Sequence, residues 1–222
     1  MKNQITTILA LILTLSLSAQ EMTVLSNSSD TAHYTLGAFV AKWMQNNGMA
    51  ISDFEMFKTG ITDVQEGKEL AIADSTINQR VAGYQTSIQS AKSRQLEAQL
   101  FADLKGKSGV GVFPNSVNYI VMREGTGELP MANDSIVLNA VGVFPDGKLF
   151  ESTLQKGQPI RTTMTNLIPG LKTAMQFMRQ GSKWRIFIPS ALGYGPAGLQ
   201  NIIPPNMALV YEVTLEEVLH NK

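Results

Sequence analysis

A change in hydrophobic period near the middle of the 222-residue chain most limits what it can fold into. Up to about residue 105, apolar residues recur every three or four positions, as on one face of a helix. From about residue 118 they recur near every second position, as in half-buried strands. Residues 106–114, GKSGVGVFP, lie between the two patterns, and their glycines and proline stop a helix. The pattern predicts a helical domain over 21–108 and an α+β domain over 109–222.

The helical domain is predicted to contain three helices. The first ends at Asn47-Gly48, and the second begins at the capping signal Ser52-Asp53. The third begins near Asp74 and is long, and its later half, AKSRQLEAQLFADLK, is too polar for a core helix. Its narrow apolar stripe with polar flanks indicates a connector that crosses solvent or a coiled contact with a partner. The apolar face of the first helix consists of Leu36, Phe39, Val40, Trp43 and Met44.

The second domain is predicted to be an antiparallel sheet wrapped around one short helix. The turn FPDGK, residues 144–148, carries the Asp-Gly signal of a hairpin. The short helix starts near Pro169, turns Leu171, Met175 and Met178 inward, and stops at Gly181. The strand-like segments are VNYIVMREG, DSIVLNAVGVF, SKWRIFIP and MALVYEVTLEEV.

The first twenty residues, MKNQITTILALILTLSLSAQ, have the pattern of a secretory signal peptide. Lys2 precedes an apolar run from about Ile8 to Leu17, and small residues follow. A spanning helix needs about 20 apolar residues, so the run is short for a retained membrane anchor, which is the alternative interpretation. We expect residues 1–20 to be removed from an exported protein that then has no membrane span.

Composition excludes several classes of function. Lysine plus arginine equals aspartate plus glutamate, 18 each, so no basic excess points to nucleic acid. Cysteine is absent, which excludes disulfides, thiol catalysis and zinc–cysteine sites. The two histidines, His33 and His220, lie near opposite ends of the chain. A histidine-rich metal site or a Ser-His-Asp triad is therefore not expected, and we expect no cofactor.

Several motifs in the second domain carry a family resemblance. NLIPGLKTAMQFMRQGSKWRIFIPSALGYG, followed by NIIPPNMALVYEVTL, resembles the C-terminal half of FKBP-type peptidyl-prolyl cis-trans isomerases. DGKLFEST resembles their first hairpin, and the likeness spans about residues 118–219. HYTLGAFVAKWM and GVFPNSVNYIVMREGTGE resemble the helical N-terminal domain of the macrophage infectivity potentiator group. The resemblance implies an FKBP-like half-barrel, and a homodimer formed through residues 28–105.

The resemblance also implies an apolar pocket for proline. Phe150 matches an aromatic wall, the backbone N–H of Ile168 matches a donor to the substrate carbonyl, and the Tyr194 hydroxyl matches a second donor. Four positions depart from the family pattern. Ala140 replaces a pocket tyrosine, Leu171 replaces the tryptophan of the pocket floor, Glu151 replaces an aspartate, and Thr162 stands where an aromatic residue is frequent. These departures predict a wider pocket. The implied catalytic residues are Phe150, Glu151, Ile168 and Tyr194, and the implied substrate-binding residues are Leu167, Leu171, Ile202, Ile203 and Tyr211.

Two functions follow from the resemblance. The first is an exported isomerase in the periplasm, with secretion or envelope association left open, acting on proline-containing unfolded polypeptides. The second is a polypeptide-binding chaperone or scaffold on the same fold, with weak or lost isomerase activity. Taken one by one, the residues have simpler readings: Phe150 as core, Tyr194 as a turn anchor, Glu151 as a hydrogen-bond partner, and the pair Ile202-Ile203 as a plug for the barrel.

Overall fold

Three helices occupy the first half of the chain, which this computed structural model describes from residue 23 to residue 220. They are α1 (Ser28–Asn46), α2 (Phe54–Gln65) and α3 (Ile77–Leu104), and a single 3₁₀ turn precedes α3. By packing, the described chain forms two compact units, one ending at Met44 and one beginning at Gln45. The predicted signal peptide lies outside the described residues.

The starts of the first two helices are explained by side-chain caps. Asn27 accepts the Asp30 backbone N–H at 2.9 Å in front of α1, and Asp53 accepts the Met56 N–H at 2.9 Å in front of α2. Asp30 lies in the first turn of α1. After α1, Gly48 takes the left-handed conformation with φ 70°, which glycine adopts without strain.

The second half forms one antiparallel sheet of seven strands in the order β1-β2-β6-β7-β3-β4, with β5 paired to β3. Two short helices, α4 (Thr153–Lys156) and α5 (Pro169–Met175), accompany it. The predicted fold class, a helical part followed by an antiparallel sheet on a short helix, is confirmed. The strands are β1 (Gly111–Val112), β2 (Asn118–Arg123), β3 (Ser135–Val143), β4 (Leu149–Ser152), β5 (Ile160–Thr163), β6 (Lys183–Ile188) and β7 (Leu209–Leu219).

The core lies between α5 and the inner face of the sheet. Along β3 every second residue is buried, as expected for a strand with one face against a core. Gly170 allows α5 to approach β6, because a Cβ at this position would lie 2.2 Å from Ile188 Cγ2. The sequence predicts that this helix stops at Gly181, but it ends at Met175. Met178, in the following turn, is still fully buried.

The later half of α3 does not cross solvent, which corrects one of the two sequence-based interpretations of this helix. Leu96 packs against the main core. Leu100 and Leu104, four residues apart on the same face, pack against Phe187 of β6 and Val210 of β7, which are paired in register. Leu100 and Leu104 therefore cover part of the outer face of the sheet. None of the described helices has both the length and the hydrophobicity required to cross a bilayer.

His220, just beyond the end of β7, joins the last strand to the segment before β3. Its Nε2 lies 2.5 Å from Glu128 Oε2 and its Nδ1 lies 2.7 Å from Asp134 Oδ2. Both ring nitrogens therefore face carboxylates, an arrangement that favours the protonated ring. The hydrogen bond with Glu128, followed by the one with Asp134, raises the pKa of His220 above its ordinary value of 6.5.

This cluster predicts a pH dependence of stability. Because the folded-state pKa of His220 is raised, its contribution is fully present below about pH 6.5 and is lost as the pH rises through the folded-state pKa. The free energy of unfolding, measured by urea denaturation across this range, should fall more steeply in the wild-type protein than in His220→Gln. His33 is present in both proteins, so the difference isolates His220. Parallel curves would contradict the prediction.

Candidate functional site

The residues implicated by the sequence converge on one region of the core, with one exception. Half-buried residues form its edge and pack against a set of buried side chains beneath them. Ile202 is the exception, because it is 53% exposed and lies outside the core cluster, whereas its neighbour Ile203 is only 4% exposed. The edge consists of Phe150, Leu167, Ile168 and Tyr194, and the buried set includes Leu171, Ile203 and Tyr211.

Four parts of the chain supply these side chains. Phe150 and Glu151 come from β4, and Tyr211 comes from β7. Residues 167–168 form the entry to α5, where Pro169 occupies the first turn. Residues 194–203 come from the connection between β6 and β7. The site is therefore assembled by the tertiary fold and by no single segment.

The aromatic wall contains a ring that the sequence analysis did not select. Phe150 stacks on Phe144, with ring centroids 4.9 Å apart, and meets Tyr211 edge-on at 5.4 Å. Gly142, opposite Tyr211 in the β3–β7 ladder, makes room for this contact, since a Cβ there would lie 2.5 Å from the Phe150 ring. Phe144 is buried although it opens the hairpin turn, and an apolar residue inside a turn motif was the available signal.

A hydroxyl–carboxylate pair lies beside these rings. Tyr211 donates its hydroxyl to Glu151 Oε2 at 3.2 Å. Burial, and secondarily the negative charge of Glu151, raises the pKa of Tyr211, so the hydroxyl stays protonated and remains a donor. In the FKBP pattern position 211 is usually phenylalanine and position 140 on β3 holds the tyrosine. Here the neighbouring strand supplies the hydroxyl, and Ala140 is buried in the core.

Two hydrogen-bond donors at the edge have no partner within the described part of the chain. The Tyr194 hydroxyl is one, and burial followed by the charge of Glu151 raises its pKa and keeps it protonated. The Ile168 N–H is the other, while the Ile168 carbonyl already accepts the Lys172 N–H at 3.0 Å. Both donors are therefore available to an acceptor that enters the site.

The loop that carries Tyr194 is held by its own backbone. Gly195 donates to the Ser190 carbonyl and Asn206 donates to the Gly195 carbonyl, both at 2.9 Å. Farther along, residues 199 and 203 exchange backbone hydrogen bonds of 2.8 Å in each direction. Gly198, with φ 64°, must be glycine, because a Cβ would lie 2.3 Å from the Ile203 carbonyl oxygen.

Helix α3 fastens this loop from outside at two points. The Asn206 side-chain amide donates to Ser90 Oγ at 2.6 Å, and the Ser190 N–H donates to Glu97 Oε1 at 3.3 Å. Arg94 also donates to Ser90 Oγ, at 2.8 Å, so the serine is held from both sides. Sequence reasoning missed this clamp, because Ser90 and Asn206 are 116 positions apart.

The chemistry of the site is that of a binding surface. Its side chains are aromatic or aliphatic except for the hydroxyls and the Glu151 carboxylate. Among residues 23–220, no group of three or more histidine, aspartate or glutamate side chains is arranged to hold a metal ion. The arrangement can desolvate an apolar group and offers two hydrogen-bond donors to a bound molecule.

Comparison with known proteins covers most of the chain. Residues 127–216 match the family profile of the FKBP-type peptidyl-prolyl cis-trans isomerase, and residues 29–121 match that of the domain amino-terminal to it. The peptidyl-prolyl cis-trans isomerase Mip of Chlamydia trachomatis is 30% identical over 90% of this chain and 84% of its own length. The outer membrane protein MIP of Legionella longbeachae is 28% identical over 95% of this chain and 94% of its own.

A solved structure is similar in fold. The crystal structure of FkpA from Escherichia coli covers 88% of this chain and 99% of its own, with a TM-score of 0.58 and 26% sequence identity. The likeness therefore includes the helical half as well as the sheet. The family resemblance noted in the sequence is confirmed by these matches.

The clamp between α3 and the loop predicts a loss of stability when Ser90 is shortened. Ser90→Ala removes the acceptor of Asn206 and should lower the free energy of unfolding by about 1 kcal/mol. This loss should occur although alanine is the better helix former, so propensity alone predicts the opposite sign. Urea denaturation measures the change.

Ser87→Ala is the matched control, because Ser87 is exposed on the same helix and bonds only locally, to the Tyr84 carbonyl at 2.7 Å. Its effect should stay within about 0.5 kcal/mol. Equal effects of the two substitutions would show that the clamp does not stabilise the fold.

Proposed function

Because this chain belongs to the family of FKBP-type peptidyl-prolyl cis-trans isomerases, we propose that it catalyses the isomerisation of Xaa-Pro bonds in unfolded polypeptides. One observation carries the proposal. Phe150 and Tyr211 pack edge to face in the same hydrophobic cluster as Leu171. Two residues that pack against this cluster, Ile168 and Tyr194, carry an N–H and a hydroxyl donor without a partner among the described residues. A proline ring fits the apolar side, and the neighbouring backbone carbonyl fits the donors.

The reaction explains why the site has no nucleophile. Rotation about the peptide bond breaks amide resonance and costs about 18–20 kcal/mol. The uncatalysed change at proline takes tens to hundreds of seconds. The twisted amide has lost the charge separation of the planar form. It therefore loses less hydration free energy than the planar amide when water is removed. A dry surface therefore favours the transition state over the ground state.

Each proposed residue has a physical role in this scheme. Phe150 and Tyr211 form a rigid edge-to-face corner against which the ring of the substrate proline packs. Ile168 holds a substrate carbonyl through its N–H, and Tyr194 donates from the loop side. Glu151 keeps Tyr211 oriented by accepting its hydroxyl hydrogen, so its role is positioning and not proton transfer. Leu167, Leu171 and Ile203 complete the apolar lining.

The chaperone alternative is favoured by two of the replaced positions. Leu171 and Ala140 supply less rigid surface than tryptophan and tyrosine, each of which buries about 150–250 Å². A wider pocket would hold proline less firmly and slow turnover while still binding polypeptide. Turnover of a short peptide, compared with suppression of aggregation of an unfolded protein, separates the two functions.

We also propose that the protein is exported. The support is the signal-like sequence of residues 1–20 and the name of the Legionella longbeachae relative, an outer membrane protein. In the periplasm, unfolded chains arrive without their final proline isomers, so an isomerase has substrates there. Secretion and attachment to the envelope are further destinations that the same signal would permit.

A homodimer through residues 28–105 is the third part of the proposal. No residue of α1 is buried within the described chain, and Phe39, in the middle of its apolar stripe, is 67% exposed. In α2, Phe54 and Val64 are exposed as well. Exposed large apolar side chains on one helical face are typical of an interface, and a second copy offers a matching apolar face.

The isomerase prediction concerns residues 21–222 acting on a Leu-Pro or Phe-Pro peptide in a protease-coupled assay. Tyr194→Phe should lower kcat/KM about two- to tenfold, which corresponds to one hydrogen bond. Adding Phe150→Ala should lower it by at least about a further tenfold, because one wall of the pocket is lost.

Phe177→Ala is the matched control, since Phe177 is an exposed aromatic residue packed on Phe113 and outside the site. It should leave kcat/KM within about twofold, and unfolding curves must show that the variants are folded. No turnover by the wild-type protein, with aggregation still suppressed, would favour the chaperone. Turnover that is insensitive to both substitutions would place the reaction elsewhere.

The dimer prediction concerns the stripe on α1. Light scattering of residues 21–222 should give twice the mass of one chain, and Phe39→Glu should shift the mass to that of a monomer by placing a charge on the apolar face. Ala41→Glu adds the same charge on the opposite side of α1 and should leave the dimer intact. A monomeric wild-type protein would contradict the proposal.

A further inference from the structure

Two cavities with polar linings lie along α3 and share one lining residue, Gln89, and together they are called the trough here. The first, of about 320 Å³, lies between Gln89, the hairpin residues Phe144 and Lys148, and the loop of residues 197–205. The second, of about 370 Å³, extends along α3 from Gln85 to Lys92 and reaches residues 46–48.

One residue links the trough to the proposed proline site. Ile203 belongs to both, since it is buried in the core cluster of the site and also lines the first cavity. Its neighbour Ile202 lines the same cavity and is the one predicted site residue outside the core. A polypeptide whose proline occupied the pocket could therefore continue into the trough past the Ile202-Ile203 pair.

The lining has a distinct chemistry. Side-chain amides dominate the polar lining, from Asn46, Asn47, Gln85, Gln89, Gln200 and Asn201. An amide side chain both donates and accepts hydrogen bonds, as a peptide backbone does. Gln85 already donates to Asn47 Oδ1 at 3.3 Å, so the other four amides are the ones that offer matching partners to an extended backbone, whatever its side chains.

The charged side chains of the lining favour an acidic ligand. Lys92 and Lys148 line the two cavities, while no aspartate or glutamate lines either one. Within residues 23–220 neither lysine forms a salt bridge. Among the described residues, Lys92 and Lys148 are therefore the only charged side chains that line the two cavities, and the Asp146 carboxylate, which accepts the Lys148 N–H at 3.1 Å, lines neither.

The part of α3 that lines the trough is also held by a hydrogen bond. The clamp from Asn206 to Ser90 joins α3, at the residue next to Gln89, to the loop that forms the opposite wall. Residues 85, 88, 89 and 92 follow the three- and four-residue spacing of one helix face. The seven steps from residue 85 to residue 92 span about 10 Å at 1.5 Å each, the length of about three extended residues.

We propose that the trough is a second substrate subsite, which binds an extended, acidic segment of the client polypeptide next to its proline. The proposal rests on the function proposed above and extends it from a single Xaa-Pro bond to a longer stretch of chain. Helix α3 then has two roles, holding the Tyr194 loop and forming one wall of the substrate groove.

The test compares labelled peptides with the same Leu-Pro core, measured by fluorescence anisotropy with full-length mature protein. Six-residue extensions carry either two glutamates or two lysines, on the N-terminal or the C-terminal side of the core. The acidic extension on one side should bind about three- to tenfold more tightly than the basic one, and the difference should shrink in high salt.

The double variant Lys92→Gln and Lys148→Gln should abolish this difference. Lys105→Gln with Lys107→Gln removes the same net charge just beyond the end of α3, outside both cavities, and should retain it. Equal binding of acidic and basic extensions, or a preference that survives loss of Lys92 and Lys148, would overturn the subsite.

Turnover of the unextended peptide separates this proposal from the one on which it rests. Both double variants should turn it over at the wild-type rate, because none of the four lysines is among the residues assigned to the proline pocket. If the wild-type protein does not turn over the unextended peptide, the proposed isomerase activity is contradicted, and the binding comparison can still be interpreted. Normal turnover, with peptide affinity unaffected by the extension, would contradict only the proposed second subsite.

Discussion

The pairing of β3 with β7 is the constraint on which the rest of the sheet and site depends. Every residue of β3, from Ser135 to Val143, has a partner on β7. This register decides which side chains face α5, and it brings Gly142 opposite Tyr211. A one-residue slip of β3 against β7 would turn the core-facing side chains of the slipped strand outward. It would also separate the Phe150–Tyr211 corner from the site.

The same register explains how the site differs from its family pattern without losing a polar contact. Ala140 leaves β3 without a tyrosine, and Tyr211 supplies a hydroxyl from the next strand to Glu151. The hydroxyl is buried at the base of the pocket, where a polar atom without a partner would be costly. Glu151 is therefore needed in the structure whether or not it contacts a substrate.

Helix α3 joins the two halves of the chain through side-chain contacts as well as through the backbone. Its last turns cover the outer face of β6 and β7 through Leu100 and Leu104, and its middle turns bind the Tyr194 loop through Ser90 and Glu97. Movement of this part of the helix would strain the loop, because the loop is closed by short backbone hydrogen bonds of its own. Helix α3 therefore helps to hold the loop that carries Tyr194.

The sequence alone determined the features that depend on neighbours along the chain. Period, caps and turn signals predicted the helices, the long strands and the hairpin, and ordered motifs indicated the family and most of the candidate site. Only the tertiary structure revealed Phe144 in the aromatic wall, the Tyr211–Glu151 contact and the packing of α3. Such contacts join residues far apart in sequence, and a hydrophobic period tells which face of an element is apolar but not what covers it. That is decided by strand register and close packing, which no local pattern contains.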